Sequence, residues 1–482
     1  MSEIQNKMFL EIRDKNIFNQ AQQYSFEYLE SIFDRNVYPT EEALKNLSIF
    51  NEELPTNSTN AKSVIEQLNK YGSPATTATL GGRYFGFVCG SAVPVGLAAK
   101  NLGTYWDQAP AMNVLSPVGS KLESVVEKWL VDLFNLPQNT SAGFVSGTST
   151  ANLCGLAAAR YRILQRNNWD INKKGLRDSP KIRIVTGTQS HSTVLKAIGI
   201  LGLGTENIEW VDVDNQGRII SDLIPELDEN TILILQAGNV NSGAFDNFEI
   251  ICKKANKANA WVHIDGAFGL WAEAVNELKH LTKGIGNATS WAVDGHKTLN
   301  TPYDCGIILC SDQEAMTSAL HMSGSYIIES TERDGMFYTP EMSRRARIIE
   351  LWSIMKYLGR NGIDEMILTM HQRAKQFAKE IEKIKGFHVE NDIVFNQVIV
   401  RCDSDKITEQ VLSNIQMLRE CWLGGSMWFG KKVMRVSICS WATNKNDISK
   451  SVKSFEKALE LEITNANTGN RCTRGLKSVQ KR

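Results

Sequence analysis

Between residues 182 and 310 the chain repeats one unit: a short apolar, β-branched run followed by a stretch with helical spacing. Residues 182–185 (IRIV) read as a strand and 193–203 as an amphipathic helix; 208–213 is a second strand and 221–229 a short capped helix. A buried strand at 232–235 is followed by a helix at 248–259, then by strands at 261–264, 290–293 and 307–310. Alternation at this spacing predicts βαβ units and a mainly parallel sheet, because parallel neighbours need a crossover long enough to hold a helix. Sheets of this kind hold ligands just beyond the carboxyl ends of their strands. The functional side chains are therefore expected directly after the apolar runs.

The flanks differ. Residues 1–80 read as a helical, polar segment, with Phe18, Ala21, Tyr24, Tyr28, Leu29 and Ile32 at helical spacing. Residues 81–350 form the large α/β domain in this reading, and 351–464 a smaller α+β domain. That smaller domain has a helical stop at Leu358-Gly359, strands at 387–390, 395–402 and 433–441, and a closing helix at 451–463. Residues 465–482, basic and poor in apolar groups, read as a disordered tail.

Lys+Arg 53 against Asp+Glu 53 leaves a net charge of +0, so no whole-chain field gathers nucleic acid or an acidic membrane. Nine cysteines without a C-x-x-C pair point to reduced thiols rather than a disulfide framework or zinc ribbon. The N-terminus lacks an apolar signal core, and no run approaches the ~18 apolar residues of a membrane span. A cytoplasmic protein is the expectation, with neither nucleic acid nor membrane as partner and no metal site.

Four strand ends carry the chemistry. Lys297 follows the 290–293 strand in SWAVDGHKT, among Trp, Ala, Val and Gly. Most lysines are solvated surface cations, but burial disfavours the ammonium and is expected to lower the pKa of this one, as imine chemistry requires. Asp265 ends the strand in WVHIDGAFG, 32 positions earlier. A lone aspartate there caps a helix as readily as it serves a ligand. A carboxylate and a buried lysine at neighbouring strand ends match what pyridoxal 5'-phosphate (PLP) needs: a lysine for the aldehyde and a carboxylate for the ring nitrogen. The stretch GFVSGTSTAN, with Gly147, Thr148 and Ser149 opening a helix, is either a capped helix start or an anion cup of free N–H groups and hydroxyls. It is neither a Walker loop nor a dinucleotide fingerprint. His191, in TQSHST after the 182–186 strand, is a polar cap or a group that stacks on an aromatic cofactor and acts as acid or base.

Taken together, GRYFGF, SPVGSKLESVVEKWL, GFVSGTSTANLCGLAAAR, SHSTVLKA, AGNVNSGAFDN, HIDGAFG, DGHKTLNTPYDCG and SRRARIIELW resemble the group II PLP-dependent amino-acid decarboxylases. These include the aromatic-L-amino-acid, histidine and glutamate decarboxylases. The resemblance runs from about Gly82 to about Trp441. It implies fold type I, the aspartate-aminotransferase-like architecture, with a large seven-stranded, mainly parallel sheet, a smaller C-terminal domain and a homodimer with interfacial active sites. Lys297 would carry PLP as an aldimine and Asp265 would pair with the ring nitrogen. His191 would stack on one face of the ring and Ala267 pack on the other. Gly147, Thr148, Ser149 and His296 would hold the phosphate, and Asn239 and Asn241 would line the site. The implied activity is decarboxylation of an L-amino acid to the amine and carbon dioxide through a quinonoid intermediate. Phe85 and Phe87 are expected to form an apolar substrate wall, and no arginine stands out to bind a distal carboxylate. An aromatic or apolar substrate is therefore expected.

Two positions depart from the family. Aligning SRRARIIELW puts Gly335 where the family carries a proton-donating tyrosine, and the nearest replacements are Tyr338, taken as catalytic, and Tyr326. Asp294 stands where better-known members have an asparagine beside the phosphate. A carboxylate there is unfavourable unless turned away or hydrogen-bonded, so Asp294 is not assigned to the phosphate site. Other readings are a carbon–carbon lyase of phosphorylated amino alcohols, a decarboxylation-dependent aldehyde synthase, or a catalytically silent interaction protein. The intact Lys297, Asp265 and His191 speak against the last.

Overall fold

The computed structural model describes residues 1–321 and 331–479, with side chains through Thr464. Seven strands form the large sheet: β1 (Ser141–Val145), β2 (Arg183–Gly187), β3 (Ile208–Val211), β4 (Thr231–Gln236), β5 (Trp261–Asp265), β6 (Ser290–Asp294) and β7 (Gly306–Cys310). Their order is β1-β7-β6-β5-β4-β2-β3, with only β7 antiparallel to its neighbours. The carboxyl ends of β1, β2, β4, β5 and β6 thus share one edge.

The sheet is buried on both faces, which is why its strands read as continuous apolar runs. Phe144, Val185, Leu233, Leu235, Val262, Ile264 and Trp291 pack to one side with the helices Pro117–Leu133 and Phe248–Lys257. Val145, Ile184, Ile232, Ile234 and Ala292 pack to the other against the helix Thr148–Arg166. Strand β1 carries no turn signal separating it from the following helix, and the sequence did not announce it. The helix expected at 221–229 reduces to a single 3-10 turn, Ser221–Leu223.

A second sheet, ordered β10-β11-β9-β8, is built from β8 (Phe387–Val389), β9 (Gln397–Cys402), β10 (Gly424–Trp428) and β11 (Lys431–Ser437). Its core includes Phe377, Val398, Val400, Met434 and Phe455. The two cores are joined by the long helix Ile348–Ile381, whose first turns pack on the large core and last turns on the small one. The expected stop at Gly359 is real but local. Its φ of 58° and ψ of −173° break the helix, which then resumes. Phe85 also bridges the parts: its N–H donates to Trp422 O and its carbonyl accepts from Ser437 N. The closing helix runs Lys445–Val479, beyond residue 463.

The N-terminal helices Glu3–Asp14 and Asn16–Ser31 bury no residue, leaving Ile4, Met8, Phe9, Leu10 and Phe26 exposed. Among the described residues no helix is long and apolar enough to cross a membrane.

Candidate active site

Lys297, Asp294 and His296 stand on the turn leaving β6. Asn300, itself at φ 56°, ties that turn down: its amide donates to the carbonyls of Lys297, Thr298 and Cys439, and its Oδ1 accepts from Ser91 N and Trp441 N. Lys297 Nζ lies 3.0 Å from Asp294 Oδ2, and its side chain is 19% exposed. The expected fall in the lysine's pKa is corrected here. Burial pulls it down, but the Asp294 carboxylate, with Asp265 further off, outweighs that and holds the ammonium above its ordinary value.

Asp265 ends β5 with Oδ1 accepting from Ala267 N at 3.2 Å and Oδ2 from Asn152 Nδ2 at 3.3 Å. Behind Asn152 runs a buried chain that the sequence did not reveal. His263 Nε2 is 2.9 Å from Asn152 Oδ1, His263 Nδ1 is 2.8 Å from Ser290 Oγ, and Trp261 Nε1 donates to Ser290 Oγ at 2.9 Å. Burial drives the His263 pKa down to about 3, so the ring is neutral. The donors then fall into one direction. Trp261 donates to Ser290, Ser290 to His263, His263 to Asn152, and Asn152 to Asp265. Period-2 alternation is the only hint, since it turns His263 to the opposite face of β5 from its neighbours.

His191 is a helix cap, one of the two things the sequence allowed. It caps the helix Ser192–Ile200, with Nδ1 accepting from Thr193 N at 3.3 Å. It also faces the cluster: burial lowers its pKa, Asp265 opposes that, and Lys297 and Arg435 add to it. With Nδ1 the acceptor, the neutral ring keeps its proton on Nε2.

The cup after β1 matches an anion. Gly306 is needed where it stands on β7, because a Cβ there would collide with Gly147 Cα and push the cup away from the strand. The Thr148 hydroxyl is buried without a partner among the described residues, and Thr148 N donates to Asp294 Oδ1 at 2.7 Å. Ser149 is exposed beside it. His296 accepts from Cys305 N at 3.1 Å through Nδ1, which turns Nε2 toward Asp294 at 3.6 Å. An orphaned hydroxyl, a helix N-terminus, a lysine and a carboxylate on the next strand together fit PLP.

Other expectations are corrected. Phe85 is 1% exposed and packs on Phe377 in the small-domain core, so its ring cannot wall a substrate pocket. Phe87, by contrast, is 62% exposed at φ 53° and lies against Trp422, which stacks on Tyr84. Tyr338 is not brought to Lys297 within the subunit. Its hydroxyl accepts from Gln313 Nε2 at 3.0 Å, and the Arg333 guanidinium lies 4.0 Å from its ring centroid. Gly335 is walled in by Arg344, Pro110 and Glu123, leaving no space for a tyrosine. Tyr326 lies outside the described residues. Asn239 keeps its loop folded through Oδ1, which accepts from Asn241 N at 2.9 Å and Ser242 N at 3.2 Å; its Nδ2 is buried without a partner among the described residues. Asn241 Oδ1 accepts from Ser426 Oγ at 2.8 Å.

Arg435 was also missed. It reaches back from β11, donates to Val240 O at 3.3 Å and pairs with no carboxylate among the described residues. Burial lowers its pKa, and it lies near enough to depress that of His191.

Residues 44–402 match the pyridoxal-dependent decarboxylase conserved domain. The chain belongs to that family. Its cofactor is PLP, and it is a PLP-dependent carboxy-lyase acting on an amino acid. Tyrosine decarboxylase 2 of Narcissus pseudonarcissus is 22% identical over 84% of this decarboxylase and 85% of its own length. The aromatic-L-amino-acid decarboxylase of Bacillus atrophaeus is 28% identical over 67% of the chain and 68% of its own. A crystal structure of Oryza sativa TDC with PLP and tryptamine superposes with a TM-score of 0.84 at 20% identity, covering 94% and 98% of the two chains. That likeness confirms fold type I.

Proposed function

We propose that this decarboxylase acts on an aromatic or apolar L-amino acid, and that Lys297, Asp265, His191 and the 147–149 cup are its working parts. When bound, PLP supplies an electrophilic aldehyde for amines and a ring that accepts the electron pair carbon dioxide leaves behind. Lys297 Nζ would be the amine that holds that aldehyde. Asp265 holds a proton on the ring nitrogen, and Asn152 fixes the carboxylate that does so. Thr148 and Ser149 receive the phosphate at a helix N-terminus, where N–H groups and the dipole favour an anion. His191, neutral with its proton on Nε2, would offer a flat face and a donor to the cofactor, and the small Ala267 side chain would leave room for it. The observation that carries this reading is the convergence of Lys297, Asp294, Asp265, His191 and the cup at one sheet edge.

The aromatic preference is supported by the Phe87, Trp422 and Tyr84 aromatic group and by the named relatives. Burial, with Cys89 nearby, raises the Tyr303 pKa, and the Tyr303 ring centroid is 4.4 Å from that of His296. Arg435 favours a second reading, a substrate with an acidic side chain, because a half-buried guanidinium without a carboxylate partner is a ready site for one. An amino-acid panel followed by carbon dioxide release separates the two. Aromatic L-amino acids are expected to exceed glutamate in kcat/KM by about 10²-fold. A glutamate preference would transfer the assignment to Arg435. Ammonia and peroxide in place of amine would mark an aldehyde synthase.

A homodimer belongs to the same proposal. Ile4, Met8, Phe9, Phe26, Leu102, Tyr105 and Trp106 are all exposed, too much apolar surface for helices facing only water. Sedimentation at micromolar concentration is expected to give twice 53.8 kDa; a species of 53.8 kDa would contradict it. A cytoplasmic location is proposed with it, supported by the free thiols of Cys89, Cys154, Cys252, Cys305, Cys310, Cys402, Cys421 and Cys439.

A further inference from the structure

The carboxylate that ends β6 sits where the cup and the lysine would otherwise meet an incoming anion. Asp294 Oδ1 accepts from Thr148 N, the first amide of the helix, at 2.7 Å. Its Oδ2 is 3.0 Å from Lys297 Nζ and 3.6 Å from His296 Nε2. The side chain is almost wholly buried, and the Thr148 hydroxyl beside it has no partner among the described residues. Burial would raise the Asp294 pKa, but Lys297, His296 and the Thr148 amide outweigh it and hold the group ionised. The other titratable groups that sense Asp294 are His191 from the turn after β2, Tyr303 and Cys305 from the segment before β7, and Cys439 from the small domain. None of these is a second fixed cation. One ammonium and one helix N-terminus therefore already serve one anion.

We propose that Asp294 is a built-in competitor for the cofactor's phosphate: its carboxylate takes the Thr148 amide and pairs with Lys297, and it must swing away or take up a proton before phosphate settles in the cup. This rests on the reading of Lys297 and residues 147–149 as the cofactor's holders. Two anions against the same amide and ammonium repel one another, and the low-dielectric surroundings strengthen that repulsion. The cofactor-free site stays ordered and charge-neutral, and the cofactor is held more loosely than the cup alone would hold it. An asparagine at 294 can still accept from Thr148 N, but it brings no charge against the phosphate.

The test uses the full chain stripped of cofactor and titrated separately with PLP and with pyridoxal, which has the aldehyde but no phosphate. Binding is followed by absorbance and tryptophan fluorescence. Asp294→Asn also removes the partner of Lys297, but that change affects both ligands alike, so the ratio of pyridoxal Kd to PLP Kd isolates the phosphate. The ratio is expected to rise at least about tenfold in the variant. Inorganic phosphate is expected to raise the Tm of the cofactor-free variant more than that of the cofactor-free wild type. Asp294→Ser gives the same comparison should the asparagine variant fold poorly. An unchanged or smaller ratio in both variants overturns the proposal, because Asp294 then stays seated while phosphate binds, or assists it. Should wild type show no preference for PLP over pyridoxal, the cup assignment fails, and Asp294 has nothing to compete with.

Discussion

Lys297→Ala is expected to lower decarboxylase kcat on the order of 10⁴-fold or more, the scale of loss when a covalent catalytic group is deleted. It is also expected to remove the visible absorbance band of lysine-bound cofactor. Lys297 Nζ is the amine that the turn after β6 aims at the cluster; Asn300 holds the Lys297 backbone carbonyl, and Asp294 lies 3.0 Å from Nζ. Deleting it has a second, separable effect. The buried Asp294 loses its cation, and breaking a buried ion pair by removing one partner typically costs ~3 kcal/mol or more. A fall in Tm of the cofactor-free variant should therefore accompany the lost activity. Lys297→Arg separates the two, since a guanidinium keeps the charge beside Asp294 yet cannot serve as the aldehyde's nucleophile at neutral pH. The arginine variant should regain much of the Tm and none of the activity. Borohydride reduction of wild type followed by peptide mapping should place the cofactor on the peptide containing Lys297. Label on any other lysine, or a Lys297→Ala protein that keeps its band and turns over, would remove the assignment.

What could be read in the sequence follows a physical line. Strands β2, β4, β5, β6 and β7 announced themselves because a sheet covered on both faces has no polar alternation to hide its runs. Lys297, Asp265 and His191 were legible because each directly follows such a run, so local sequence already fixes which edge it occupies. Residues whose roles depend on a distant segment were not. Arg435 lies on β11 and meets Val240 and His191 only once the small domain packs on the large sheet. Asn152 looked like one residue in a helix start, although its amide joins Asp265 to His263, two residues apart on β5. Phe85 failed as a substrate contact because aromatic character says nothing about which of two cores a ring enters, and Trp422 and Ser437 draw its backbone into the smaller one. The Lys297 pKa went the other way from expectation for the same reason. Apolar neighbours in sequence argued for desolvation, while the decisive carboxylate lies three residues back on a turn that folds it onto the amine.

Asp265→Asn should be the second great loss, with kcat falling roughly 10²- to 10⁴-fold, because an amide cannot hold a proton on the ring nitrogen as a carboxylate does. Asp265→Glu should recover part of the loss, since it keeps the charge but moves it about one carbon–carbon bond out of register. The chain behind Asp265 predicts a gradient. Asn152 Nδ2 is 3.3 Å from Oδ2, so Asn152→Ala leaves the carboxylate held only by the Ala267 amide at 3.2 Å. His263→Phe acts one step further back, removing the donor that fixes the Asn152 amide. Both residues position Asp265 without touching the reacting atoms, so their effects should be smaller than that of Asp265→Asn, with Asn152 exceeding His263. A purely structural role would lower Tm and leave the cofactor's spectrum alone. Positioning instead predicts that the absorbance and its pH profile shift in Asn152→Ala toward those of Asp265→Asn. The decisive comparison is kcat: an Asp265→Asn enzyme keeping more than about a tenth of wild-type kcat would mean the ring proton is held by some other group, since a tenfold change corresponds to only ~1.4 kcal/mol of transition-state stabilisation.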